Sequence, residues 1–304
     1  QETVKARDLI GGRIQRRPRR LSAASRPRGD GLPVMSTPAS TPRSIRPMYE
    51  APRLRFMLFG IDLLFGRRRS FTRYSRLVLD ANREYARRIE WLDNLPGAGS
   101  FIVVMNHYGR RGLRPYHCAM VVTTAVASVR PGLAEIRWAF TSEYLGRHVG
   151  PVPIPLWLIR WTFRRVARMY DFVVIPRREE LVVGRAAALR RFAKALVHGP
   201  IGLTPEGLRG TGPLVEPPPG NGLFLAFLSR PGIPLLPGGL CEDDDTLVVR
   251  FGAPFGLDVP HNRTREEQDR AARETVMVAI GRELPPAFWG DYSEIIAQKT
   301  GHRP

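Results

Sequence analysis

Six short apolar runs recur along the chain: FIVVMN (101–106), EIRWAF (135–140), DFVVIP (171–176), IGLTPEG (201–207), IPLLPGGL (233–240) and TLVVRFG (246–252). Each is strand length, and most end at Pro, Gly or a polar residue. Between them lie stretches with helical spacing. RYSRLVLDANREYARRIEWL (73–92) puts Leu77, Leu79, Tyr85 and Ile89 at helical intervals, so the spacing predicts a helix there. Further helices are predicted over 116–129, 154–170 and 183–199, the last stopped by Gly199-Pro200, and over 222–232. The final helix, 264–284, opens on Thr264 with Glu267 three residues on, a capping-box pattern. Strands alternating with helices predict an α/β fold: a mixed central sheet flanked by helices. Ligand sites in such folds gather where strands end and turns begin.

Charge divides the chain unevenly. Residues 1–70 carry 16 of the 47 Lys and Arg against 5 of the 28 Asp and Glu, so over half of the net +19 lies in less than a quarter of the sequence. Residues 1–50 are rich in Arg, Pro, Ser and Gly and poor in aromatics. They have too little apolar surface to fold alone and are expected to form a disordered basic tail. Met35, opening MSTPASTPRS, is an expected alternative start of translation. Residues 51–70 hold the apolar stretch RLRFMLFGIDLLFG (53–66) between arginines, with RRR at 67–69. It is too short to span a bilayer, but it suits an amphipathic segment at a membrane interface. The competing expectation is a helix packed on the domain. A second candidate, 149–170, sets Trp157, Trp161 and Phe163 among Arg160, Arg164, Arg165 and Arg168. Such mixing fits either a bilayer interface or a core helix with snorkelling arginines. The remaining 71–304 is long enough for one domain.

Two cysteines, Cys118 and Cys241, make a disulfide framework unlike this chain, and no Cys/His spacing suggests a metal site. The positive charge lies largely in the tail and no nucleic-acid motif accompanies it, so nucleic acid is not an expected partner.

Three turns at strand ends carry chemistry-bearing residues: Asn106-His107, the IPRR of 175–178, and TPEGLRG of 204–210. Taken singly each has an ordinary structural reading: a polar strand end, a solvated turn, a Pro/Gly turn. In this order, with the Pro-rich IPLLPGGL after them, they resemble the phospholipid/glycerol acyltransferases, a family that includes lysophosphatidic acid acyltransferases. That family carries NHxxxxD, a strand-end arginine block, FPEGTRS and a Pro-rich strand. The counterparts here are NHYGRRG, FVVIPRR, LTPEGLRG and IPLLPGGL, covering about residues 70–260. Asn106, His107, Pro205, Glu206, Gly207 and Arg209 match. Leu208 replaces Thr, and Gly112 stands where the family has the Asp of its first block.

The resemblance implies a glycerolipid acyltransferase-like fold and transfer of a fatty acyl group from acyl-CoA or acyl carrier protein to a hydroxyl of a glycerophospholipid precursor. It implies a general base at His107 with Asn106 beside it, and acceptor binding by Arg177, Glu206, Gly207 and Arg209. Arg178 is the alternate to Arg177, and Glu206 could equally pair with Arg177 or Arg209. It implies neither metal nor bound cofactor, and a peripheral location on the cytoplasmic face of a membrane. In such sites an acid orients the base. With Gly112 at that position, Glu143 and Asp171 are the candidates to replace it, or a backbone carbonyl or water orients the ring. The alternative is a lipid-binding protein that has lost catalysis on the same fold. Arg110 and Arg111 are expected in a solvated turn or beside the donor's phosphates.

Overall fold

The computed structural model describes Tyr49 and residues 53–141, 148–149, 152–175, 181–207, 212–230, 232–260 and 262–301. The tail expected over residues 1–50 lies outside the described residues except for Tyr49.

In chain order the strands are β1 (Arg87–Glu90), β2 (Ile102–Met105), β3 (Arg137–Thr141), the short pair β4 (His148–Val149) and β5 (Val152–Pro153), β6 (Val173–Ile175), β7 (Ile201–Leu203), β8 (Leu235–Asp243) and β9 (Thr246–Phe251). Seven of them form one sheet in the order β1-β9-β8-β2-β7-β3-β6. From β8 to β6 all neighbours are parallel. β9 returns antiparallel to β8, and β1 runs parallel to β9. The sheet is therefore mixed, as expected.

The helices are α1 (Arg53–Phe65), α2 (Phe71–Ala81), α3 (Pro115–Val129), α4 (Leu156–Met169), α5 (Leu181–His198), α6 (Asn221–Ser229), α7 (Arg265–Arg282) and α8 (Ser293–Thr300). Strand alternation sends successive side chains to opposite faces. Val103 and Met105 of β2 join a core with Val78 of α2 and Val122 of α3. Ile102 and Val104 join the other core, with Phe192 of α5, Leu225 of α6, Val276 of α7 and Ile296 of α8. Burial on both faces is why these strands read as continuous apolar runs.

The helix expected over 73–92 is corrected. It stops at Ala81, and residues 87–90 form β1 instead. Buried Asn82 donates its side-chain N–H to the Val78 carbonyl at 2.7 Å, and Arg87 reaches back to the Leu79 carbonyl at 3.1 Å. These bonds satisfy the helix end. Ile89 then lies opposite Val249, extending the sheet by one strand. The other expected helices form, and the Thr264–Glu267 capping box is present at α7. The helix α8 gave no signal that the sequence reading caught.

No helix among the described residues is long and apolar enough to cross a membrane. α1 leaves Met57, Leu64 and Phe65 exposed. α4 buries Ile159, Ala167 and Met169 while Trp157 projects, 69% exposed. So α4 packs by one face and offers an aromatic at its start.

Candidate functional site

His107 leaves the carboxyl end of β2, and the turn after β7 carries Glu206. β2 and β7 are paired parallel neighbours, so both turns open at the same sheet edge. Leu203 ends β7, and Thr204-Pro205-Glu206-Gly207 form a turn closed by Gly207 N–H to the Thr204 carbonyl at 3.0 Å. Pro is favoured at the second position of such a turn because its φ is pre-set, and Gly at the fourth. Gly207 has φ +71°, a backbone that favours glycine.

That turn puts Glu206 inside the protein, 1% exposed. One carboxylate oxygen accepts the backbone N–H of His107 and the other accepts that of Val215 at 3.0 Å. Burial pushes the Glu206 carboxyl above the usual carboxylate range, the two N–H donors oppose this, and Asp291 adds to it. Glu206 thus ties the TPEG block to the NH block through the main chain.

Asn106 is fully buried. Its Nδ2 donates to the Leu240 carbonyl and its Oδ1 accepts the Leu240 N–H, both at 2.8 Å. The side chain substitutes for a peptide unit against β8 and fixes where His107 emerges. His107 itself is half-buried.

The residues after His107 are held as firmly. Tyr108 donates its hydroxyl to Glu242 Oε2 at 2.9 Å, and Arg110 donates Nε to the same oxygen at 2.6 Å. A second Arg110 nitrogen donates to Glu242 Oε1, completing a two-point pair. Arg110 is therefore neither a solvated turn residue nor a free cation. Arg111 is exposed. Residues 110–113 form a tight turn with Arg110 N–H to Leu113 carbonyl at 2.8 Å and Leu113 N–H to Arg110 carbonyl at 3.1 Å. Gly112, third in that turn, has φ +85°, as a type II turn requires. Its carbonyl accepts the Tyr49 N–H at 2.9 Å. The position that holds an acid in the resembled motif is here a backbone corner.

Asp171 is corrected as a candidate to orient His107. It precedes β6 and pairs with Arg137 at the start of β3, at the amino edge of the sheet. β3 and β6 run parallel to β2 and β7, so His107 stands at the opposite edge. Glu143, Arg177, Arg178 and Arg209 lie outside the described residues. β6 ends with Ile175 at the edge that holds His107, so the IPRR block starts there.

Sequence reading missed four residues packed around this edge. His117 is buried in the first turn of α3, where its Nδ1 accepts the Arg114 N–H at 3.0 Å and its ring stacks on Tyr49. Burial, assisted by Arg114, pushes its pKa down to about 4, so the ring is neutral at pH 7. Cys118 sits beneath Tyr108, its thiol pushed up to about 12 by burial, so it is no nucleophile. Tyr108 and Glu242 were the other two. A Tyr beside a motif His was a usable signal, whereas Glu242, in the CEDDD stretch 241–245, looks like a solvated hairpin.

A cleft of about 490 Å³ opens among Ser100, Arg130, Ala134 and Gly199, where β2, β3 and β7 begin. It lies across the sheet from His107. No group of His, Cys, Asp and Glu suited to a metal occurs among the described residues.

No family model matches the chain, and no curated protein does. Among solved structures, the 1-acyl-sn-glycerophosphate (LPA) acyltransferase PlsC from Thermotoga maritima is similar at 16% identity, with a TM-score of 0.40 over 74% of this chain and 88% of its own. The α/β architecture stands on the sheet itself.

Proposed function

We propose that the protein is an acyltransferase that moves a fatty acyl group from acyl-CoA or acyl carrier protein to a hydroxyl of a glycerophospholipid precursor. The observation that carries this reading is the hydrogen bond that the His107 backbone N–H donates to the Glu206 carboxylate. It joins the two motif blocks that resemble the glycerolipid acyltransferases at one edge of one sheet.

In this reading the His107 imidazole takes the proton from the acceptor hydroxyl as that oxygen attacks the thioester carbonyl. The tetrahedral intermediate collapses, the carbon–sulfur bond breaks, and the imidazolium returns its proton to the departing thiolate. Asn106 and Glu206 hold the loop that presents the base. Arg177 and Arg209, with Arg178 as alternate to Arg177, bind the acceptor phosphate, for which guanidinium offers paired donors that never titrate. Glu206 and Gly207 shape that acceptor side through the turn they form. The acyl chain lies against the bilayer. Exposed Met57, Leu64, Phe65 and Trp157, with Arg67 and Arg68 close in sequence to α1, suit a peripheral position on the cytoplasmic face of an anionic membrane. No metal or organic cofactor enters these steps.

A second reading, lipid binding without catalysis, is favoured by one observation: Gly112 occupies a left-handed corner in place of the family's acid. Acyl transfer from labelled acyl-CoA to a panel of lysophospholipids and glycolipids separates the two. Activity in the wild type that is lost in His107→Ala supports the enzyme. Equal background in both, with lipid still bound, supports the binding protein.

A further inference from the structure

The loop 106–114 is braced from β8 and from the turn after β7. Leu240 and Glu242 stand two residues apart on β8 and so point to the same face of the sheet. Leu240 receives Asn106, immediately before His107, through two backbone bonds. Glu242 receives Tyr108, immediately after His107, and then Arg110. The Glu242 side chain is 7% exposed and that of Arg110 13%. Tyr108 is itself buried, its ring against Phe288 and its carbonyl accepting the Cys118 thiol. His107 is thus one residue from a buried anchor on each side, and Glu206 holds its own N–H.

A carboxylate paired at two points with a guanidinium is held in a defined orientation. The Tyr108 hydroxyl adds a third bond to the same carboxylate. Turning the His107 backbone would pull Tyr108 away from Glu242 or Asn106 away from Leu240. Both movements leave buried polar groups without partners, which is costly. The resembled family places an acid five residues after the histidine, and here that position is Gly112, the corner of the turn that begins at Arg110.

We propose that Glu242 is a positioning residue for His107, fixing through Tyr108 and Arg110 where the imidazole leaves the backbone. The proposal rests on the reading of His107 as the base of acyl transfer, and it deepens that reading.

The test compares wild type, His107→Ala, Glu242→Gln and Asp243→Asn. Asp243, the next residue, reaches exposed Arg88 and serves as the control. Two quantities are read well below each variant's melting temperature. The first is acyl transfer from palmitoyl-CoA to lysophosphatidate, as kcat and KM. The second is the side-chain ¹H–¹⁵N resonances of His107, assigned by their loss in His107→Ala. Expected in Glu242→Gln is a fall in kcat of about tenfold to a hundredfold with KM nearly constant, because a base displaced by a fraction of an ångström loses rate and not binding. The ring resonances shift or broaden, and Asp243→Asn changes neither. A Glu242→Gln protein with a lower melting temperature but unchanged kcat and unchanged ring signals overturns the proposal, leaving Glu242 a fold ion pair. If His107→Ala transfers acyl groups as well as wild type, the enzyme reading fails. The ring signals still decide whether Glu242 positions His107. Should Glu242→Gln not fold, Tyr108→Phe removes only the hydroxyl bond, and the same two readouts apply with smaller shifts expected.

Discussion

Glu206 reaches across 99 positions of sequence to hold the backbone N–H of His107, and its other oxygen holds Val215. Replacing it with Gln keeps the shape but offers one carbonyl oxygen where two acceptors are needed, and turns an N–H₂ toward a backbone N–H. Leaving one buried N–H unsatisfied costs about 1–3 kcal/mol. Urea denaturation of Glu206→Gln at pH 7 is expected to fall short of wild type by about that amount. With His107 as the base of the proposed acyl transfer, activity is expected to fall further than stability, because the displaced N–H belongs to that residue.

The same carboxyl has a signature in pH. Its folded-state pKa lies above the ordinary 4.5 because of burial, so from about pH 4.5 upward the folded chain keeps a proton that the unfolded chain has released. Stability from this group is complete below that pH and is lost as pH rises through the folded value. The difference in unfolding free energy between wild type and Glu206→Gln is therefore expected to shrink as pH rises from 4.5. A difference that grows with pH would show that the two N–H bonds outweigh burial.

His117 runs the other way. Its pKa falls from 6.5 to about 4 through burial, so the unfolded chain binds a proton between those values and the folded one does not. Stability rises with pH across that window and is lost on acidification, by up to about 3 kcal/mol for this one group. His117→Gln keeps a side-chain acceptor for the Arg114 N–H, as a glutamine in a capping box does. Unfolding curves at pH 7 and 4.5 are expected to diverge less in this variant than in wild type.

The strands buried on both faces were legible because each is an unbroken apolar run, and α7 because its capping box is local. The strand β1 was not: RRIE is half-exposed, carries three charges, and owes its conformation to β9, some 160 residues away. The site divides in the same manner. Asn106, His107 and Glu206 lie in recognisable blocks, so their presence was readable. That Asn106 bonds to Leu240 and Glu206 to the His107 main chain was not, since both bonds are set by sheet order. Glu242 left no local trace, because its burial comes from residues 132 and 134 positions earlier.

Exposed Met57, Leu64 and Phe65 on α1 make a face whose loss should not disturb the core. Leu64→Ser with Phe65→Ser is expected to leave the melting temperature within about 1 °C, as surface changes do. Sedimentation with vesicles containing phosphatidylglycerol should drop by about tenfold or more, given roughly 1.5–3 kcal/mol for each large apolar side chain no longer buried. Unchanged sedimentation would show that this face of α1 makes no membrane contact.

An aspartate at position 112, where the acyltransferases that the motifs resemble carry an acid, is the sharpest probe of the loop. Gly112 has φ +85° at the corner between Arg110 and Leu113, and its carbonyl is tied to Tyr49. An aspartate there pays the strain of a left-handed backbone, about 1 kcal/mol. Its side chain starts from a backbone shaped for glycine, in a turn already closed by two bonds. Gly112→Asp is expected to lose about that stability, matched by Gly112→Ala, and to gain no acyl-transfer rate over wild type. A rise in kcat for Gly112→Asp but not Gly112→Ala would mean the turn yields and a carboxylate at this position reaches the imidazole.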